Sequence, residues 1–290
     1  MTIHKFFLVI SLLSTLKLAS ASFPDIKTFT SESCDALNLR KGVYTHSSFQ
    51  SKSRGNVDFN VYLPPTWSKE NSSKYPLILL LHGQNGSEYS FTNDLPADSL
   101  NYWIKTDSIP EVVVIALKGG DDTSSMQWYS DANVKMITSD EDSELRKYCN
   151  ENFNTSIENS QISIMGHSRG AAGALYFAVN FPTKFSSIVS LAFVSDYIIE
   201  DLKQSIDKNQ EKIISSGIKI QMYIGNKDRF VLKGNRRGSW VISSYLMEKG
   251  IVNELITFEG KTHDICELFE SPNKLDYFKF CTQMWKNHSD

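Results

Sequence analysis

The sequence predicts a three-layer α/β fold, a mostly parallel central sheet with helices on both faces, and three observations predict it. First, Leu77-Ile78-Leu79-Leu80-Leu81 and Val112-Val113-Val114-Ile115-Ala116 are continuous apolar runs too short for helices, and both give way to glycine. Runs of this kind read as central parallel strands buried on both faces. Second, strand-like and helix-like segments alternate from there to the end of the chain, the rhythm of a parallel sheet covered on both sides. Third, Gly166-His167-Ser168-Arg169-Gly170 stands directly after the apolar run Ile162-Ser163-Ile164-Met165 and directly before an alanine-rich stretch. That is the form of a strand turning sharply into a helix.

The elements follow in order. After a turn-rich N-terminal stretch, residues 56–63 alternate apolar and polar (Val57, Phe59, Val61, Leu63) and end at Pro64-Pro65, as a half-buried strand does. Beyond the two apolar runs, a helix is expected from about 138 towards Cys149, with Thr138 and Glu141 as a capping box and Asp140, Glu141 and Asp142 at its positive end. Residues 162–165 are a strand, and 170–180 a helix that Pro182 terminates. Strands are then expected at 188–194, 218–224 and 255–258, and helices at 201–215, 239–249 and 275–285. No internal repeat or linker interrupts this pattern, so residues 22–290 read as one domain.

Residues 1–21 read as a secretory signal peptide: Lys5, an apolar stretch from Phe6 to Leu18, and small residues Ala19 and Ala21 ahead of a cleavage point after Ala21. Lys17 interrupts the stretch and leaves it short of the roughly 20 residues that span a bilayer, so no stable membrane anchor is expected. The mature protein should be soluble and secreted. Its loss of Lys5 and Lys17 leaves 28 basic against 33 acidic residues, a formal charge of −5, which argues against nucleic acid as a partner.

Four cysteines, Cys34, Cys149, Cys266 and Cys281, lie beyond the signal, and an even count in an exported chain favours disulfide bonds over free thiols or zinc. Proximity in sequence favours Cys266 with Cys281, leaving Cys34 for Cys149. Asn71, Asn85, Asn154 and Asn287 open Asn-x-Ser/Thr sequons, which mark surface loops in a glycoprotein.

The chemistry centres on Ser168. A serine hydroxyl attacks acyl carbons only when a base takes its proton and a third group orients that base. Two histidines follow it: His288 lies at the chain end, whereas His263 follows the last expected strand. Asp228 follows the strand at 218–224 through Gly225-Asn226-Lys227, placing a carboxylate at the carboxyl end of the sheet, where ligand sites form in open α/β folds. Asp196 is the rival acid, and Asp264 points elsewhere if His263 sits on a tight turn. Two main-chain N–H groups must meet the oxyanion, and Arg169, next after the nucleophile, and Gln84, in His82-Gly83-Gln84-Asn85-Gly86, are positioned to supply them. A glycan on Asn85 would crowd this mouth, so that sequon is expected to be empty.

With Leu81-His82-Gly83, Gly166 to Gly170, Gly225-Asn226-Lys227-Asp228 and Thr262-His263-Asp264 in this order, the chain resembles the α/β-hydrolase superfamily from about residue 56 to 285. More narrowly, it is similar to the esterase branch that includes esterase D, feruloyl esterases, enterochelin esterases and secreted mycolyltransferases. The resemblance implies an α/β-hydrolase fold and a serine esterase acting on a small-molecule ester, with Ser168, Asp228 and His263 as the triad and no metal or cofactor. Arg169 departs from the Met, Leu or Gln more usual there. It either assists an anionic substrate or pairs with a carboxylate such as Glu144, and the pairing is favoured. The loop 119–131, with Met126, Trp128 and Tyr129, reads equally as a pocket wall and as satellite core. An acyltransferase, a serine peptidase on the same scaffold and an inactive binding protein remain as alternatives.

Overall fold

The computed structural model describes residues 39–120, 128–142, 144–193, 198–232, 238–270, 273–283 and 285. Eight strands form one sheet: β1 (Tyr44–Ser51), β2 (Gly55–Tyr62), β3 (Leu77–Leu81), β4 (Val113–Leu117), β5 (Ile162–His167), β6 (Ser187–Leu191), β7 (Lys219–Gly225) and β8 (Glu254–Phe258). Their order is β1-β2-β4-β3-β5-β6-β7-β8. The first two pairings, β1 with β2 and β2 with β4, are antiparallel, and all the others are parallel. The mostly parallel sheet expected from the sequence is therefore the one formed.

Alternation along each strand sorts its side chains to two cores. Leu77, Leu79 and Leu81 face one, Ile78 and Leu80 the other. On the first face lie α2 (Asp131–Thr138), α3 (Leu145–Phe153), α4 (Arg169–Asn180), α5 (Ile199–Ser216) and α7 (Gly238–Glu248), and on the second α1 (Ala97–Lys105) and α9 (Asn273–Thr282). Two short helices, α6 (Arg229–Leu232) and α8 (Ile265–Leu268), follow β7 and β8. Strands buried on both faces need no polar face, which is why β3 and β4 are apolar throughout and every residue of each is buried.

Several expectations need correction. The expected strand at 56–63 has a partner, β1, whose sequence YTHSSFQS is largely polar because much of that edge strand remains exposed. The region around Thr138 holds the end of one helix and the start of another. Ser130 caps α2 by accepting from Asn133 N, Thr138 closes it with its hydroxyl donating to the Val134 carbonyl, and α3 begins after Glu144. Thr138 and Glu141 therefore form no capping box.

The cysteine pairing also differs. Cys266 is exposed on α8 with its thiol donating to Asp94 Oδ1 at 2.9 Å, while Cys281 is buried on α9, and the two are not bonded. Cys149 is a free buried thiol packed in the core on α3, and Cys34 lies outside the described residues. Of the sequons, Asn71 and Asn85 are exposed, but Asn154 is a buried left-handed helix cap at φ 56°. Its amide donates to Asn71 O at 2.9 Å and its carbonyl accepts from Lys74 Nζ at 2.6 Å, pinning a surface loop rather than marking one. Residues 1–21, Met126, Asp196, Asn287 and His288 lie outside the described residues.

Candidate active site

Ser168 stands between β5 and α4 at φ 55° and ψ −109°, a conformation that costs a non-glycine residue of order 1–3 kcal/mol. The surroundings hold it there: Ser168 N donates to Leu191 O at the end of β6, and Ala172 N donates to Ser168 O in the first turn of α4. The flanking glycines are required by space. A Cβ on Gly166 would lie 2.0 Å from Gly170 O, and one on Gly170 would lie 1.8 Å from Leu81 O. With no side chain in the way, α4 starts directly over the ends of β3 and β5 and lifts the hydroxyl clear of the sheet.

His263 and Asp228 come from the loops after β8 and β7. Those loops are tied main chain to main chain, with Asn226 N donating to Phe258 O at 3.0 Å and Lys227 N to Lys261 O at 2.9 Å. Glu267 Oε2 accepts from Thr262 N at 2.7 Å and steadies the turn that carries His263. The result is a continuous chain of hydrogen bonds: Ser168 Oγ to His263 Nε2 at 2.9 Å, and His263 Nδ1 to Asp228 Oδ2 at 2.6 Å. Asp228 is completely buried, and its other oxygen accepts from Phe230 N at 2.9 Å. A carboxylate can only accept, so Nδ1 carries the proton and Nε2 presents its lone pair to the serine hydroxyl. Ser168, His263 and Asp228 are thus brought together from three separate loops. Asp264 does point away, capping α8 by accepting from Cys266 N.

On the other side of Ser168, the segment after β3 is shaped by His82. Its Nε2 accepts from Gly119 N at 2.9 Å, so Nδ1 is the protonated nitrogen and donates to Gly83 O at 2.7 Å. Gly86 N donates to the same carbonyl at 3.2 Å. In a trans peptide the N–H opposes the C=O, so the Gln84 N–H is turned away from His82. Gly83 lies against Ser168, since a Cβ added to it would stand 3.2 Å from Ser168 Cβ. Burial pushes the His82 imidazole down to about 4, which keeps it neutral at pH 7. Arg169, whose N–H belongs to the first turn of α4, is not paired with Glu144. Glu144 is fully buried beneath the β1–β2 turn and its oxygens accept from Ser51 Oγ at 2.7 Å and Ser53 N at 3.0 Å.

Within the loop 119–131, Trp128 is a core residue. It is 1% exposed, its Nε1 donates to His82 O at 2.9 Å, and its ring meets the His82 ring at 5.1 Å. Tyr129 packs on Tyr176, and 121–127 lie outside the described residues. Two residues not singled out from the sequence flank His263: Phe230, edge to face at 4.6 Å, with the Arg229 guanidinium 4.9 Å from its ring centre, and His167, tilted at 5.1 Å. His167 and His82 lie inside the motifs already picked out, so the motif letters were the available signal; which neighbours the fold gives them was not.

Comparison with known proteins agrees with this architecture. A family model described as Putative esterase matches residues 51–280. S-formylglutathione hydrolase from Bos taurus is 29% identical over 187 residues, 58% of this chain and 61% of that protein. The chain thus spans about three fifths of that relative's length. Among solved structures, a ferulic acid esterase superposes with a TM-score of 0.69 at 15% identity, covering 83% of this chain and 98% of its own. FphF, a fluorophosphonate-binding serine hydrolase from Staphylococcus aureus, superposes with a TM-score of 0.64 at 17% identity, covering 81% and 97%. At these identities the superpositions establish the common fold.

Proposed function

Because this chain belongs to the Putative esterase family, we propose that it is a secreted serine hydrolase that cleaves carboxylic esters through an acyl-enzyme on Ser168. The observation that carries the reading is the unbroken path from Ser168 Oγ through His263 to the buried Asp228. Along it, Ser168 Oγ attacks the ester carbonyl as its proton passes to His263 Nε2, and Asp228 holds the tautomer and stabilises the imidazolium. The N–H groups of Gln84 and Arg169 receive the oxyanion, each worth about 3 kcal/mol of barrier. His263 returns the proton to the departing alcohol or thiol. A water then takes the place of the leaving group: it gives a proton to His263 Nε2 as it attacks the acyl carbon, and His263 returns that proton to Ser168 Oγ as the acyl–oxygen bond breaks and the acid leaves.

Support for small esters as substrates comes from the neighbours: the bovine relative is named for a thioester of formate, and the structural neighbour for an aromatic acid ester. Export rests on residues 1–21, and an empty Asn85 sequon on its place beside the oxyanion donors. The test is labelling with a fluorophosphonate probe, in wild type and in Ser168→Ala and His263→Ala. Wild type should label and both variants should not. A folded wild type that stays unlabelled, or a Ser168→Ala variant that labels, removes the mechanism. Short-chain, aromatic and thioester substrates then rank specificity, and N-terminal sequencing of the exported protein should begin at Ser22.

A further inference from the structure

His167 lies between the Ser168–His263–Asp228 hydrogen-bond chain and the segment that bears Gln84, without belonging to either. It is the last residue of β5, immediately before Ser168, and its Nε2 lies 3.0 Å from the main-chain carbonyl of His263. A carbonyl offers no hydrogen, so His167 Nε2 must carry the proton and donate. That fixes the tautomer and leaves Nδ1 with a lone pair. Nδ1 in turn stands 3.2 Å from the point where Gly83 would carry a Cβ, the same distance as Ser168 Cβ, so the ring lies against the segment that bears Gln84. One imidazole therefore touches the base through its carbonyl, the nucleophile through the chain, and the oxyanion segment through packing.

We propose that His167 is a positioning residue: its Nε2–H holds the His263 main chain, and with it the His263 ring, at the height over Ser168 Oγ that proton transfer requires. The inference rests on the serine esterase reading and adds to it. The loop carrying His263 follows an edge strand, β8, which is paired on one side only, by β7. Among the described residues, the His167 contact is the bond that ties that loop straight to the strand before the nucleophile. Charge on His167 would place a cation beside the imidazolium that forms on His263. Burial, assisted by the neighbouring His263, pushes His167 down to about 4, so it stays neutral while His263 cycles.

The experiment compares wild type, His167→Leu and His167→Gln in steady-state hydrolysis of a p-nitrophenyl ester, with fluorophosphonate labelling rates alongside. Leu fills much of the same space without a donor, and Gln restores an N–H at similar reach. His167→Leu should lower kcat about tenfold or more with KM within about twofold, and His167→Gln should recover most of the loss. A His167→Leu variant with wild-type kcat, a loss carried by KM, or a His167→Gln variant as impaired as His167→Leu would overturn the proposal. A readout needing no variant is the 15N spectrum of histidine-labelled protein. Between about pH 5 and pH 8 it should show His167 neutral with the hydrogen on Nε2, and a charged ring or a hydrogen on Nδ1 would equally overturn it. Wild type that neither labels nor hydrolyses esters defeats the esterase reading itself, whereas an active wild type with an indifferent His167 defeats this inference alone.

Discussion

Acidification should destabilise this protein along a slope set by two imidazoles. His82 already accepts the Gly119 N–H at Nε2, so a second proton has no place there without breaking that bond, and Nδ1–H is committed to Gly83 O. Burial lowers its pKa from 6.5 to about 4, and burial together with the nearby His263 lowers that of His167 from 6.5 to about 4. In the unfolded chain both titrate near 6.5, so between that value and about 4 the unfolded state binds protons that the native state refuses. Stability is therefore fully present above about pH 6.5 and falls as pH falls, by about 1.4 kcal/mol per pH unit per imidazole and roughly 3 kcal/mol each over the whole shift. The assay is urea unfolding, followed by tryptophan fluorescence, from about pH 7.5 to about pH 5 for wild type and His82→Gln. Glutamine keeps an acceptor for Gly119 and a donor for Gly83 but does not titrate. Below about pH 6 the variant's slope should be about 1.4 kcal/mol per pH unit shallower. Equal slopes in the two proteins, or a wild type of constant stability across the range, would refute the reasoning.

Further expectations concern other residues. Asp228→Asn should keep the fold and lower kcat by about 10⁴, because an amide can donate and so stabilise the wrong His263 tautomer; a loss under about tenfold in ester hydrolysis counts against it. Gly170→Ala would place a methyl 1.8 Å from Leu81 O and should leave no folded protein by circular dichroism, a cost above about 4 kcal/mol. Asn154→Ala removes the loop-pinning bonds to Asn71 O and Lys74 Nζ and should lower unfolding free energy by about 2–3 kcal/mol. Glycopeptide mapping of native protein should likewise find Asn154 bare. The Cys266 thiol, pushed up to about 12 by its bond to Asp94, should alkylate more slowly at pH 8 than a free thiol despite its exposure, and Asp94→Asn should speed the reaction.

The parts of this molecule that the sequence displays are those where one physical requirement governs a whole segment. β3 and β4 must be apolar on both faces and are read at once; the turn from β5 into α4 needs glycine at 166 and 170 because backbones meet there, and it shows both. The placement of Ser168, Asp228 and His263 was legible because each follows a strand, and strand ends converge in a parallel sheet. Where two requirements compete, the reading failed. β1 is an edge whose polar residues face solvent and disguise the strand, and Thr138 serves the end of α2 although its spacing to Glu141 suits a beginning. Cys266 and Cys281 are near in sequence, yet one points to Asp94 at the surface while the other lies in the core against β5 and β6. The hydrogen positions on His82 and His167 depend on Gly119 and on the His263 carbonyl, 37 and 96 residues away, and no local pattern encodes them.

Ser168 occupies a left-handed backbone setting that only glycine adopts without strain. Ser168→Gly would therefore relieve about 1 kcal/mol or more of strain while removing the hydroxyl on which the proposed chemistry depends. At this position folding stability and the proposed activity pull in opposite directions. A single substitution there leads to a protein that is sturdier and inert. The strain at position 168 is thus one that folding does not call for and that the proposed chemistry accounts for.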